Sequence, residues 1–192
     1  WILLTLLAAF MQAWRNAFQS QLSKEVSVAG VTLARFIWAG PIAAVYLVGL
    51  YLWQDVGVPD FSGRFIGFIL GASAMQILAT GLMVKLFKQQ NFAIGAGLAK
   101  SEAVVAAILG TVFFGTHLSP LGWSGVLLGG VAIFLMSAKQ GLRSLSLNTV
   151  LIGLACGTSF ALTSLWVREA SLCLNIGFPH SAAWVLLFVI SL

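Results

Sequence analysis

The sequence contains very few charged residues. Only 8% of its 192 residues are Asp, Glu, Lys or Arg, whereas 60% are hydrophobic. A soluble globular domain carries roughly 25% charged residues, because its surface faces water. With so few charges, this chain has too few polar side chains to cover a surface that faces water. The composition therefore excludes an ordinary soluble domain and predicts that lipid surrounds most of the protein.

Several chemical signatures are also missing. The two cysteines, Cys156 and Cys173, lack the spacing of metal ligands, and Cys156 is expected to be a small packing residue. The ten Lys and Arg residues form no basic cluster, so we expect lipid headgroups and no nucleic acid as their partners. A Gly-rich phosphate loop, an Asp-rich metal motif and a catalytic triad are all missing. We therefore expect no enzyme activity, no cofactor and no metal site.

Unbroken apolar stretches make up most of the chain, and short polar connections separate them. In lipid the backbone must satisfy its own hydrogen bonds, which allows only helices or closed barrels. Barrel strands would alternate in polarity over about 10 residues, whereas stretches of about 20 residues match helices that cross a bilayer. The sequence predicts an all-α, polytopic transmembrane bundle of six or seven helices. The spans are 1–18, 28–53, 65–86, 92–114, 121–138 and 147–167, with a seventh beginning near 181.

Local signals refine these spans. Pro120 follows a short polar segment and suits the first turn of the next helix. Three glycine pairs have the four-residue spacing that lets helix backbones approach closely in lipid. They are Gly67 with Gly71, Gly125 with Gly129, and Gly153 with Gly157.

A weak internal repeat relates residues 7–14 to residues 153–160. Both segments are helices of small residues that end in an aromatic residue, Trp14 or Phe160. The copies lie in the first and sixth predicted spans, an offset of five helices, so the second copy would be inverted, which is typical of secondary transporters. Trp1 already lies in an apolar run, and the seventh span stops after about 12 residues, too few to cross a bilayer. We therefore expect the chain to be a fragment.

Residues 91–137 contain a recognisable pattern. Ser101-Glu102-Ala103 lies near a helix start, Gly115-Thr116-His117 forms a hairpin, and a glycine-rich helix follows. This segment resembles the fourth and fifth helices of an EamA-like domain in the drug/metabolite transporter superfamily. Ala103 replaces the family's usual proline, and Thr116 replaces its usual glutamate, which puts any role of those two positions in doubt.

The resemblance implies an inverted repeat of two five-helix halves. Residues 1–138 would be the first half, 139–146 a linker, and 147–192 the truncated start of the second half. It further implies a permease or exporter of the bacterial inner membrane that moves a small metabolite or drug by alternating access. Proton coupling, solute exchange and a homodimer remain open. The alternatives are a membrane-embedded lipid-modifying enzyme and a structural subunit without transport activity.

Charged residues inside membrane helices are costly, so they are functional candidates. Glu102 lies about ten residues into its span, where an ionised carboxylate is disfavoured, so it is a candidate proton carrier or a structural ion-pair member. Arg35 is expected to pair with Glu102 or to bind an anionic substrate. Lys100 and Arg15 are expected to extend towards the membrane surface or into a cavity.

Polar and aromatic residues inside the spans are candidates for the lining of a substrate path. They are Gln12, Trp14, Asn16, Trp38, Gln76 and Ser101. Trp38 would alternatively face lipid, and Trp53 and Trp123 suit the aromatic belts at the membrane surfaces. His117 and His180 are expected to face solvent.

The distribution of positive charges bears on orientation, because Lys and Arg favour the cytoplasmic side. More of them follow the odd-numbered predicted helices, which would place the N-terminus outside, whereas the family resemblance implies an inside N-terminus. The residues that follow odd-numbered predicted helices are Lys24, Lys85, Lys88, Lys139 and Arg143. Those that follow even-numbered predicted helices are Arg64 and Arg168.

Overall fold

The computed structural model describes residues 2–54, 56–89, 99–139 and 147–192. Within these ranges all regular secondary structure is helical, which confirms the predicted all-α class. The helices are α1 (Ile2–Glu25), α2 (Val28–Ile37), α3 (Ala39–Trp53), α4 (Gly63–Gln89), α5 (Glu102–Phe113), α6 (Pro120–Lys139), α7 (Leu147–Cys173) and α8 (His180–Ser191).

The predicted span 28–53 consists of two helices, α2 and α3, which meet at Trp38. Pro41 explains the break. Proline has no backbone N–H, and its ring clashes with the carbonyl four residues earlier. That carbonyl belongs to Ile37, the last residue of α2. By contrast, α6 begins at Pro120, where the sequence predicts a helix start.

The centre of the fold is an antiparallel pair, α4 against α7, which has the most extensive helix contact in the described part of the chain. The Cys156 thiol donates a hydrogen bond to the Ala79 carbonyl oxygen at 3.3 Å. Gly71 lies beneath the Trp166 ring, where an added Cβ would come within 2.8 Å of the ring carbons. Small residues thus allow the two backbones to approach closely.

Within the described ranges, two helices are long and apolar enough to cross a membrane by length and composition, namely Gly63–Lys88 and Leu147–Cys173. They belong to α4 and α7, the central pair. The remaining helices pack around this pair: α1 and α2 contact α4, α5 contacts α7, α3 contacts α8, and α6 contacts α5.

An aromatic cluster joins the end of α3 to the starts of α4 and α8. The expectation that His180 faces solvent is wrong, because this residue is only 1% exposed. Its ring packs edge-on against Tyr51 with the ring centroids 5.2 Å apart. The Trp184 indole N–H donates to the Tyr51 hydroxyl at 3.0 Å. The packing of α3 on α8 buries His180, whereas His117 is exposed as expected.

The predicted glycine pairs differ in their surroundings. Gly71 and Gly157 each lie directly against another helix, so that an added Cβ would collide with a neighbour. Around Gly125 and Gly129, in contrast, the space is open. The four-residue spacing therefore does not by itself identify which glycines lie at a helix contact.

Candidate functional site

The buried residues of α1 are all polar, whereas its large apolar side chains are exposed. Asn16, Gln19 and Ser23 are the buried residues of this helix, and three- and four-residue spacings place them on one face. Leu7 and Phe10, on the other side, are more than half exposed. This distribution is the reverse of that in a water-soluble amphipathic helix. The polar face of α1 is therefore directed into the bundle.

The start of α5 supplies the acidic group of the site. Lys100 and Ser101 form a turn immediately before this helix, and Glu102 lies in its first turn. A carboxylate is favoured there because the N-terminal end of a helix carries partial positive charge. The Ser164 hydroxyl of α7 donates a hydrogen bond to Glu102 Oε1 at 3.0 Å. Glu102 is thus held at a helix start, rather than midway along one continuous helix as the sequence suggested.

Gly157 allows the start of α5 to lie against the middle of α7. A Cβ at this position would overlap the Ser101 hydroxyl oxygen and lie 3.0 Å from the backbone nitrogen of Glu102. Within the described part of the chain, the buried Ser101 hydroxyl has no hydrogen-bond partner. A side chain at position 157 would therefore collide with Ser101 and press against the backbone of Glu102.

Two cations belong to the same region. Lys100 Nζ donates to Gln12 Oε1 at 3.3 Å, which links the turn before α5 to α1. Arg15 Nη2 donates to Asn16 Oδ1 at 3.2 Å. The Arg15 guanidinium lies within electrostatic range of the Glu102 carboxylate, although the described residues contain no direct ion pair between them.

These contacts bring residues from three helices together. We call the group the mid-helix polar cluster; it comprises Gln12, Arg15, Asn16, Lys100, Ser101, Glu102 and Ser164. Arg15 lies near the middle of α1, and Ser164 lies in the middle third of α7. The cluster combines several hydrogen-bond donors with one carboxylate. It is therefore chemically equipped to bind the polar group of a small solute or to exchange a proton.

Other predicted site residues lie elsewhere. Trp14 is half exposed and stacks with Phe18, at a ring-centroid distance of 5.6 Å, on the outer side of α1. Trp38 is 75% exposed at the break between α2 and α3. Gln76 is half-buried on α4. Arg35 belongs to α2, but its side chain lies outside the described part of the structure.

Sequence reasoning missed two polar residues near the site. Ser164 lies 62 positions after Glu102, and no local pattern indicates their contact. Gln19 is different, because its spacing from Gln12 and Asn16 places it on the same face of α1. Helix periodicity in the sequence was therefore sufficient to predict that Gln19 lies beside Gln12 and Asn16.

Among the described residues, no group of three His, Cys, Asp or Glu side chains is arranged to hold a metal ion. No protein-family model, no curated protein and no solved structure matches the chain.

Proposed function

We propose that this protein is a secondary transporter of the drug/metabolite type that moves a small organic solute across a membrane by alternating access. One observation carries the proposal. The mid-helix polar cluster, with the half-buried Glu102 and Arg15, joins helices that expose many large apolar side chains. Ionisable groups in such a place are costly unless they have a function.

The distribution of apolar side chains supports a membrane location. Leu3, Leu52 and Leu121 are each more than three-quarters exposed, on three different helices. Soluble monomers rarely expose large continuous apolar surfaces, because these promote association in water. In a bilayer the same surface is favourable. The proposal therefore places the bundle in lipid as a multi-pass protein, with a bacterial inner membrane as the location that the family resemblance suggests.

The position of the cluster supports transport. In secondary transporters built from inverted repeats, the substrate site lies near the bilayer midplane, where the two repeats meet. In the proposed scheme α1 and α5 belong to the first repeat and α7 begins the second. The Ser164–Glu102 hydrogen bond then joins the two repeats. Rocking of one repeat against the other would make and break this contact.

The test is transport by the purified protein in liposomes. Proteoliposomes are incubated with a mixture of amino acids, aromatic amines and aromatic carboxylates, and the solutes taken up are measured by mass spectrometry. The proposal expects saturable uptake of at least one solute. Liposomes that contain heat-unfolded protein are the matched control. Uptake no faster than in this control would reject transport and favour a structural subunit.

A further inference from the structure

A groove beside α1, at the edge of its polar face, contains polar atoms that have no hydrogen-bond partner among the described residues. The groove runs between α1 and α2 and has a volume of about 440 Å³. Arg15 and Gln19 line it together with apolar side chains that include Trp14, Phe18 and Leu22. Pockets for small organic ligands commonly have this character, an apolar wall with a few polar groups that fix orientation.

Gln19 is the more unusual of the two polar residues. Its side chain is only 7% exposed, and neither its amide nitrogen nor its amide oxygen has a hydrogen-bond partner within the described ranges. A buried amide normally has partners, because burial without them costs free energy. This exception indicates that a ligand completes the hydrogen bonding of Gln19.

Arg15 defines the charge of that ligand. One of its terminal nitrogens donates to Asn16, but Nε is buried and unpartnered in the described part of the molecule. An arginine has several donors and no acceptor, and it is the side chain best suited to bind a carboxylate through two parallel hydrogen bonds. Arg15 Nε and the Gln19 amide nitrogen both lie beneath the surface of the groove, so the two side chains must turn outward for a ligand carboxylate to accept hydrogen bonds from these atoms.

We propose that the groove between α1 and α2 binds a small amphipathic carboxylic acid, with its carboxylate on Arg15 and Gln19 and its apolar part against Trp14 and Phe18. This inference rests on the proposed function, since it names the class of solute that the transporter takes. The aromatic wall and Arg15, the cation among the described lining residues, favour an organic anion over a cationic or neutral drug.

Equilibrium binding to the protein in lipid nanodiscs tests this site. The probes are 4-phenylbutyrate and its neutral isostere 4-phenylbutyramide, each measured by isothermal titration calorimetry against empty nanodiscs. The wild-type protein is expected to bind the acid at least tenfold more tightly than the amide, because charge-assisted hydrogen bonds are the stronger ones. Equal binding of the two probes would overturn the proposal without the use of any variant.

Substitutions locate the site. Arg15→Gln is expected to weaken binding of the acid at least tenfold while binding of the amide changes little, and retained amide binding also shows that the variant is folded. Arg15→Lys keeps the charge but loses Nε, so an intermediate loss is expected. Arg64→Gln removes an exposed arginine from the first turn of α4 and serves as the matched control. If both Arg15 variants bind the acid as tightly as wild type, the proposal fails.

Binding and transport can fail separately. Acid-selective binding that depends on Arg15, without uptake of any solute into liposomes, would support the site and reject the proposed transporter. Saturable uptake of other solutes, without acid-selective binding, would support the transporter and reject this site.

Discussion

The Ser164 hydroxyl of α7 donates a hydrogen bond of 3.0 Å to the Glu102 carboxylate at the start of α5. Gly157, two turns before Ser164 on α7, provides the space for this approach. The acid is thus held by a neutral donor, with the Arg15 guanidinium near enough to attract it. In the proposed transporter, Glu102 is the group whose role in coupling to a proton gradient is tested first.

We expect Glu102→Gln to abolish any stimulation of transport by a pH gradient. Glutamine keeps the oxygen that accepts from Ser164 but cannot gain or lose a proton at neutral pH. The measurement is solute uptake into proteoliposomes with and without an imposed gradient. Asp60→Asn, which alters an exposed acid between α3 and α4, is the control. If the variant responds to the gradient as wild type does, Glu102 is not the proton carrier.

Gly157→Ala should destabilise the protein, because its Cβ would collide with Ser101. Overpacking of this kind typically costs about 1–3 kcal/mol, so the melting temperature should fall by several degrees. Gly125→Ala is the matched control, since apart from the backbone of its own helix no described atom lies within 4 Å of the added Cβ. Thermal unfolding in detergent, followed by a thiol-independent fluorescence signal, distinguishes the two variants. Equal melting temperatures would contradict the packing described here.

The contact between Gly71 and Trp166 predicts compensation between two substitutions. Gly71→Ala alone should be destabilising, because the added Cβ lies 2.8 Å from the indole ring carbons. When Trp166→Leu is combined with it, the smaller side chain removes the clash. A double-mutant cycle of unfolding free energies should therefore give a coupling of about 0.5–3 kcal/mol. Strictly additive effects would show that the residues do not touch.

The two cysteines should differ in reactivity. Cys156 is fully buried between α7 and α4 and donates to the Ala79 carbonyl oxygen, whereas Cys173 is half-buried at the end of α7. N-ethylmaleimide is expected to modify Cys173 first, and to reach Cys156 only after the protein has been denatured. Mass spectrometry of peptides after timed labelling measures this order. Faster labelling of Cys156 would contradict the packing of α4 on α7.

The two ends of α4 should lie on opposite sides of the membrane. Lys88 Nζ, near its C-terminal end, donates to the Val26 carbonyl oxygen after α1, and Phe61, just before α4, packs against Trp184. The 27 residues of α4 rise about 40 Å. With the native cysteines replaced by alanine, Lys24→Cys and Ser62→Cys should be labelled by an impermeant maleimide from opposite sides. Labelling of both from one side would reject the proposed crossing, and the side of Lys24→Cys gives the orientation.

The sequence by itself determined the helical class and several boundaries, because these depend on local chemistry. Long apolar runs without charge need internally satisfied backbones, and Pro120 begins a helix because it has no N–H to donate there. Pro41 is a similar local signal, because it predicts the break between α2 and α3. Hydropathy alone gives no sign of this break, since residues 28–53 form one apolar run. The polar face of α1 was also readable, since helix periodicity relates Asn16 to Gln19.

Only the tertiary structure decided which polar residues meet. The contact of Glu102 with Ser164 and the burial of His180 by the packing of α3 on α8 join elements that are distant in the chain. Such contacts depend on which helices pack together and at what depth, and spacing within one helix contains no information on either. The same reason explains why Gly157 lies at a close contact and Gly125 in open space, although the sequence marks both with the same motif.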